Sequence, residues 1–166
     1  MTSSPLSPEW KALADRVVAE YRRALGEDLV AIALFGSVAR GQARPDSDLD
    51  LYVVTCRPIL GDPRLRTIWG RVDASPEYQE LGAAGYRPTP SPVLHTIDEL
   101  RRHSWILLDI THHGIVLYDP AALLERELNA VRRRMAELGS RRVELADGSW
   151  YWDIKPDWRP GEVVDL

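Results

Sequence analysis

The sequence predicts an α/β fold in which a small mixed β-sheet is flanked by helices, and a further helix and a β-hairpin form a C-terminal extension. Helical and strand patterns alternate along the chain, as they do in α/β and α+β domains. Residues 29–35 form a short, nearly all-apolar run, which is typical of a strand covered on both faces. The 166 residues, 45% apolar and 28% charged, have the size and composition of one compact domain.

Each element is predicted from its own local signals. Helices are expected where apolar residues recur at helical spacing between a capping residue and a glycine, and strands where short apolar runs lie between turn residues. In chain order, the expected elements are a helix over 8–25, strands over 29–35 and 48–54, one or two helices over 63–81, a strand over 93–96, a helix from Thr96 to Ile110, a strand over 115–119, a helix from Asp119 to Gly139, and a hairpin that turns at Asp147 and Gly148.

Composition excludes several classes of function. The chain carries 21 Lys and Arg against 25 Asp and Glu, a net charge of −4, which argues against long duplex DNA as a partner. The lone Cys56 cannot form an internal disulfide or a cysteine zinc site. Because the N-terminal residues lack a signal-peptide pattern and no long apolar run is present, we expect a cytoplasmic protein without a membrane span.

The most informative stretch is LFGSVARGQARPDSDLDLYVV, residues 34–54. Gly36 and Ser37 close a buried strand and precede a short helical turn, so their backbone N–H groups can converge on an anion. The glycine spacing fits neither a Walker loop nor a Rossmann fingerprint. The stretch therefore predicts a phosphate-sized pocket of another kind.

Two carboxylates follow this pocket. Asp48 and Asp50 are two residues apart, which places them on the same face of a strand. Paired carboxylates repel unless a cation lies between them, and Mg²⁺ is the natural candidate, bridging the carboxylates and triphosphate oxygens. A solvated strand edge is the alternative, but the alternation with Leu49 and Leu51 favours a functional site.

The pattern GSVARGQARPDSDLD resembles the DNA polymerase β-like nucleotidyltransferase superfamily, and within it the minimal nucleotidyltransferases. Some of these are antitoxins paired with helical HEPN toxins. The resemblance implies a nucleotidyltransferase fold, with a minimal nucleotidyltransferase domain over 1–119 and a helix and hairpin over 120–166 packed on that domain. The tail is similar to uncharacterised prokaryotic members, which implies no function for it.

The resemblance also assigns roles to residues of the motif. Gly36 and Ser37 match the phosphate-binding pair, and Asp48 and Asp50 match the catalytic metal ligands. Arg40 is expected to steady the phosphates or the loop.

The family's third carboxylate is expected on the next core strand, where VLHT contains no acid. His95 lies nearest the expected place and is the candidate base, with a hydrogen-bonded strand histidine as the alternative. The possible substitutes for the missing acid are Asp73, Asp98 and Asp109.

Two functions stay open at this point. The first is an enzyme, a Mg²⁺-dependent nucleotidyltransferase that moves AMP from ATP to an acceptor hydroxyl on a partner protein such as a HEPN-type toxin. The second is a catalytically weakened binding protein of the same fold that neutralises such a toxin or senses nucleotide. The sequence leaves self-association open.

Outside the motif, the simpler structural interpretations are favoured. His112 and His113 precede Gly114 and are expected as a basic pair at a helix C-terminus rather than a metal site. Trp150 and Trp152 share one face of the hairpin and are expected to pack against the core rather than stack on a base.

Overall fold

The computed structural model describes residues 6–147 and 149–166. Gly148, one of the two residues predicted to turn the hairpin, lies outside these ranges. The helices are α1 (Pro8–Leu25), α2 (Gly36–Ala39), α3 (Pro63–Asp73), α4 (Pro76–Ala83), α5 (Ile97–Leu100), α6 (Ile106–His113) and α7 (Leu123–Leu138). The strands are β1 (Leu29–Leu34), β2 (Leu49–Thr55), β3 (Pro90–Thr96), β4 (Ile115–Tyr118), β5 (Arg141–Glu144) and β6 (Trp150–Asp153).

The main sheet has four strands in the order β3-β2-β1-β4. β1 is antiparallel to both of its neighbours, and β3 is parallel to β2, so the predicted small mixed sheet is confirmed. Helices α1, α3 and α4 cover one face, and α5, α6 and α7 cover the other. β1 is buried along its length except at Val30, as its apolar sequence predicts.

This topology brings four strand ends to one edge of the sheet. Leu34, at the end of β1, pairs with Leu51 near the start of β2 and with Ile115 at the start of β4. Asp50 of β2 pairs with Ser91 near the start of β3. The glycine turn after β1 therefore shares an edge with the first residues of the three other strands.

The helix predicted from Thr96 to Ile110 is broken in the structure. The predicted capping box is present, since Thr96 and Glu99 bond each other's backbone amide groups, but α5 ends after one turn. His103 has a φ of +47°, which a right-handed helix cannot accommodate. Its ring contacts Glu127 Oε2 at 2.8 Å and the Leu166 carbonyl oxygen at 3.1 Å, so tertiary contacts override the local helical pattern.

The start of α7 and the start of β3 also differ from the prediction. α7 begins at Leu123 rather than at Asp119. The Asp119 carboxylate still caps it by accepting hydrogen bonds from the amides of Leu123 and Glu125, both at 2.9 Å. β3 begins at Pro90, three residues before the predicted start, because an edge strand tolerates proline.

The C-terminal hairpin packs on the α6 side of the sheet. Trp152 is partly buried against the core there, and its indole Nε1 donates a hydrogen bond to Asp109 of α6 at 2.9 Å. Within the described ranges, no helix combines the length and the apolar character that a membrane span requires.

Candidate active site

The glycine turn after β1 holds a carboxylate directly beneath it. Gly36 has a φ of +73°, and a Cβ at this position would lie 2.0 Å from Asp50 Oδ2. The amide of Phe35 donates to the Asp50 carbonyl oxygen at 3.0 Å, which fixes the turn to β2. Only glycine allows both the backbone conformation and this close approach.

The loop between α2 and β2 is tied back to the glycine turn. Ser37 Oγ donates to Ser47 Oγ at 3.0 Å, and the amide of Arg44 donates to the same Ser47 oxygen at 2.8 Å. The first N–H groups of a helix have no partner within it, so those at the start of α2 are available at the same edge as the carboxylates. This arrangement has the elements of the predicted phosphate pocket.

The two carboxylates differ in environment. Asp48 is exposed and lies one residue before β2, whereas Asp50 is half-buried within the strand. Burial raises the pKa of Asp50, and the negative charge of Asp48 raises it further. A hydrogen bond with Ser91 and the positive charge of Arg40 oppose that shift.

These carboxylates fit a divalent cation. A half-buried carboxylate beside a second one is stabilised when a cation neutralises the pair. Among residues 6–147 and 149–166, no group of three or more His, Cys, Asp or Glu side chains could hold a metal ion. A metal bound at Asp48 and Asp50 would therefore take its other ligands from phosphate oxygens and water.

The structure does not bring His95 to the carboxylates. His95 pairs with Val54, and the residue opposite Asp50 is Ser91, four positions earlier in β3. At about 3.3 Å per residue, His95 is about 13 Å further along the strand. Its Nδ1 lies 2.7 Å from the hydroxyl of the buried Tyr52, which is the hydrogen-bonded strand histidine of the alternative interpretation.

The three other acids considered as substitutes have different surroundings. Asp73 ends α3, and Asp98 is an exposed residue of α5 that lies 3.9 Å from Arg101. Asp109 is occupied by its hydrogen bond with Trp152. Ser91, in register opposite Asp50, is the side chain that sequence reasoning missed, because the strand pairing that identifies it is a tertiary property.

Arg40 ends α2, with its amide donating to the Gly36 carbonyl oxygen at 3.3 Å. Its guanidinium Nε donates to Gln42 Oε1 at 3.2 Å. Across the ranges that the structure describes, no carboxylate lies within 4.0 Å of this guanidinium. Arg40 is thus a cation next to the glycine turn without an ion-pair partner among these residues.

This edge combines a glycine turn whose amides could bind a phosphate with a pair of carboxylates that could hold a metal ion. Residues 16–81 match the family model described as the nucleotidyltransferase domain. The match includes the whole Gly-Ser and Asp-x-Asp segment. The resemblance of the motif to the nucleotidyltransferases is therefore confirmed over these residues.

Several solved structures are similar to the chain at low sequence identity. A spectinomycin adenyltransferase from Enterococcus faecialis, crystallised with ATP and spectinomycin, is 15% identical with a TM-score of 0.52 over 77% of this chain and 66% of its own. A toxin–antitoxin crystallised with AMP-PNP is 18% identical with a TM-score of 0.44 over 76% of this chain and 92% of its own. A structure of a tri-AMPylated Shewanella oneidensis HEPN toxin in complex with an MNT antitoxin is 15% identical with a TM-score of 0.42, over 78% of this chain and 92% of its own. No curated protein matches the sequence significantly.

Proposed function

We propose that the protein is a Mg²⁺-dependent nucleotidyltransferase that moves a nucleoside monophosphate, AMP from ATP, to an acceptor hydroxyl. The observation that carries the proposal is the position of Asp50 beneath the Gly36 turn, where a Cβ would lie 2.0 Å from the carboxylate. A glycine that makes room for a half-buried carboxylate next to free amide groups fits a site for a metal and a phosphate together.

Each residue of the motif has a role in this proposal. Gly36 and Ser37 bind the phosphates through their backbone amides, and Arg40 offsets their negative charge. Asp48 and Asp50 hold the metal. When bound, Mg²⁺ neutralises phosphate charge and lowers the pKa of a coordinated hydroxyl.

In the reaction, the acceptor oxygen bonds to the α-phosphorus of ATP, and the bond from that phosphorus to the bridging oxygen of the β-phosphate breaks. Pyrophosphate leaves, and the acceptor proton passes to water. The chain contributes by holding the triphosphate in position and by screening its charge. His95 has no step here, because the register places it away from the carboxylates.

We propose a partner protein as the acceptor, of the helical HEPN toxin type. The motif resembles that of the minimal nucleotidyltransferases, some of which pair with such toxins.

The metal and nucleotide site is tested by thermal unfolding with Mg²⁺ and ATP. A ligand at 100 times its dissociation constant adds about 2.7 kcal/mol to the free energy of unfolding, which raises the Tm by about 5–10 °C for a chain of this length. We expect this rise in the wild type and its loss in the Asp48→Asn, Asp50→Asn double variant. Asp46→Asn is the matched control, because Asp46 is an exposed acid of the same loop whose nearest cation is 3.8 Å away.

An equal rise in the double variant, or no rise in the wild type, contradicts the proposed site. Transfer itself is tested by pyrophosphate release from ATP in the presence of Mg²⁺ and a candidate helical partner. Release that depends on the partner and disappears in the double variant is the expected result.

A second candidate function, a binding protein of this fold with weakened chemistry, is favoured by one observation. The residue opposite Asp50 is Ser91, so no acid stands at the position where the next core strand faces the metal pair. Under this hypothesis, Mg²⁺-ATP binds without pyrophosphate release, and Ser91→Asp increases the release. Full release in the wild type with no gain in Ser91→Asp favours the enzyme.

A further inference from the structure

The C-terminal hairpin places an arginine against the end of α6. Arg142 of β5 lies with its Nη1 3.0 Å from His113 Nε2. Its guanidinium also lies over the Trp150 ring, 5.4 Å from the ring centroid, and bonds to Glu144. Three contacts thus fix the position of one arginine that is distant in sequence from the motif.

Arg142 and His113 lie at the sheet edge that holds the candidate active site. His113 is the last residue of α6, and the strand that follows pairs its first residue, Ile115, with Leu34. Leu34 is two residues before Gly36, so the end of α6 flanks the glycine turn on the side away from β2. α2 and α6 are also in contact.

Arg40 belongs to the same edge. It directly follows α2, and α2 contacts α6, the helix that ends at His113. The glycine turn, Arg40, His113 and Arg142 are therefore carried by elements that meet at one edge of the sheet.

Arg142 supplies the positive charge of this group. Its Nη1 donates to His113 Nε2, so the His113 ring acts there as a neutral acceptor, and burial is the main cause of the lowered pKa of His113. Glu144 is the one carboxylate that contacts Arg142 in the described ranges. A phosphate that reaches this edge would compete with Glu144 for the guanidinium.

We propose that Arg142 and His113 extend the active site into a second anion-binding element that, with Arg40, holds the polyphosphate of the nucleoside triphosphate. The inference rests on the proposed function and deepens it by assigning a ligand-binding role to the C-terminal hairpin. Arginine suits this role because its planar guanidinium donates two hydrogen bonds to a phosphate at once. The Trp150 ring orients that guanidinium by stacking on it.

The test compares two adjacent arginines by isothermal titration calorimetry with Mg²⁺-ATP and with inorganic tripolyphosphate, at fixed ionic strength. Arg142→Gln is expected to weaken the binding of both probes about tenfold or more, since hydrogen bonds to charged groups are individually strong. Arg141→Gln is the matched control. Arg141 is paired with Asp153 through contacts of 3.1 Å and alternates to the opposite face of the hairpin.

Glu144→Gln separates binding from a merely structural role. If Arg142 binds phosphate, removing its competing carboxylate tightens the binding of both probes. If Arg142 only holds the hairpin, then Arg142→Gln and Glu144→Gln both lower the Tm while affinity per folded molecule stays at the wild-type value, and the inference is overturned. Because Glu144→Gln retains the arginine, it keeps the test decisive even where Arg142→Gln fails to fold.

The outcomes also distinguish this inference from the proposed function. The inference alone is overturned if Arg142→Gln and Arg141→Gln bind both probes with equal affinity while Mg²⁺-ATP binding still depends on Asp48 and Asp50. Tripolyphosphate binding that depends on Arg142, with ATP binding indifferent to the two aspartates, supports the anion-binding element and overturns the metal site. A wild type that binds neither probe overturns both.

Discussion

Replacing Gly36 with alanine tests whether the close approach of the glycine turn to Asp50 forms the metal site. Two costs are expected. The φ of +73° costs an alanine about 1–2 kcal/mol, and the new Cβ would lie 2.0 Å from Asp50 Oδ2, so the carboxylate must move. Gly41→Ala is the matched control in the same loop, with a φ of +68° and no atom within 4 Å of the added Cβ.

Both variants should lose Tm from backbone strain, about 2–4 °C for each kcal/mol in a chain of this length. Only Gly36→Ala should also lose the Tm rise produced by Mg²⁺ and ATP, because only that variant displaces Asp50. The assay is differential scanning fluorimetry of both variants with and without Mg²⁺-ATP. If Gly36→Ala retains the full ligand-induced rise, the Gly36 contact with Asp50 does not form the site.

Three further predictions concern individual side chains. The raised pKa of Asp50 means that the folded state binds a proton more readily than the unfolded state, so this residue's contribution to stability falls as pH rises through its folded pKa. Without metal, Asp50→Asn should therefore have a higher Tm than the wild type at neutral pH and a flatter profile of Tm across acidic pH. A lower Tm at neutral pH would refute this. Trp152→Ala removes a partly buried ring and its hydrogen bond to Asp109. Denaturant titration should show that the free energy of unfolding falls by about 3 kcal/mol, with nucleotide affinity per folded molecule unchanged. Selective loss of affinity would instead place the Trp152 ring in the site. His95→Ala leaves the Tyr52 hydroxyl without its partner at 2.7 Å, which should lower the free energy of unfolding by about 1–3 kcal/mol. Mg²⁺-ATP binding should be retained. Loss of binding in a stably folded variant would show that His95 belongs to the site.

The part of the site that the sequence could predict is the part encoded by local pattern. The segment from Gly36 to Asp50 combines a buried strand, a glycine turn and alternating acids, and each of these constrains the backbone within a few residues. The structure forms β1, α2 and β2 there. The sequence predicts that Gly36 allows a tight turn, whereas the close approach of Gly36 to Asp50 depends on the pairing of β1 with β2.

Long-range contacts explain where element prediction failed. The stretch after Thr96 has helical spacing, yet the bonds of His103 to Glu127 and to Leu166 hold the chain in a left-handed conformation at that point. Both partners lie in the C-terminal part of the chain, more than 20 residues beyond His103. No local propensity encodes such contacts, and propensity is a weak prior against them.

The register of β3 decides which residue lies opposite Asp50, and the local sequence does not determine that register. β3 is joined to β2 through two helices, so no turn between them fixes the register of the pair. A shift of four residues would exchange Ser91 for His95 on the same face. The pairing places Ser91, and not His95, opposite Asp50, so the neighbouring strand offers no carboxylate at that position. Arg142 of the hairpin, which donates to His113 of α6, adds a guanidinium near the same edge. The functional question therefore moves from a missing acid on β3 to the arginine that the hairpin places against α6.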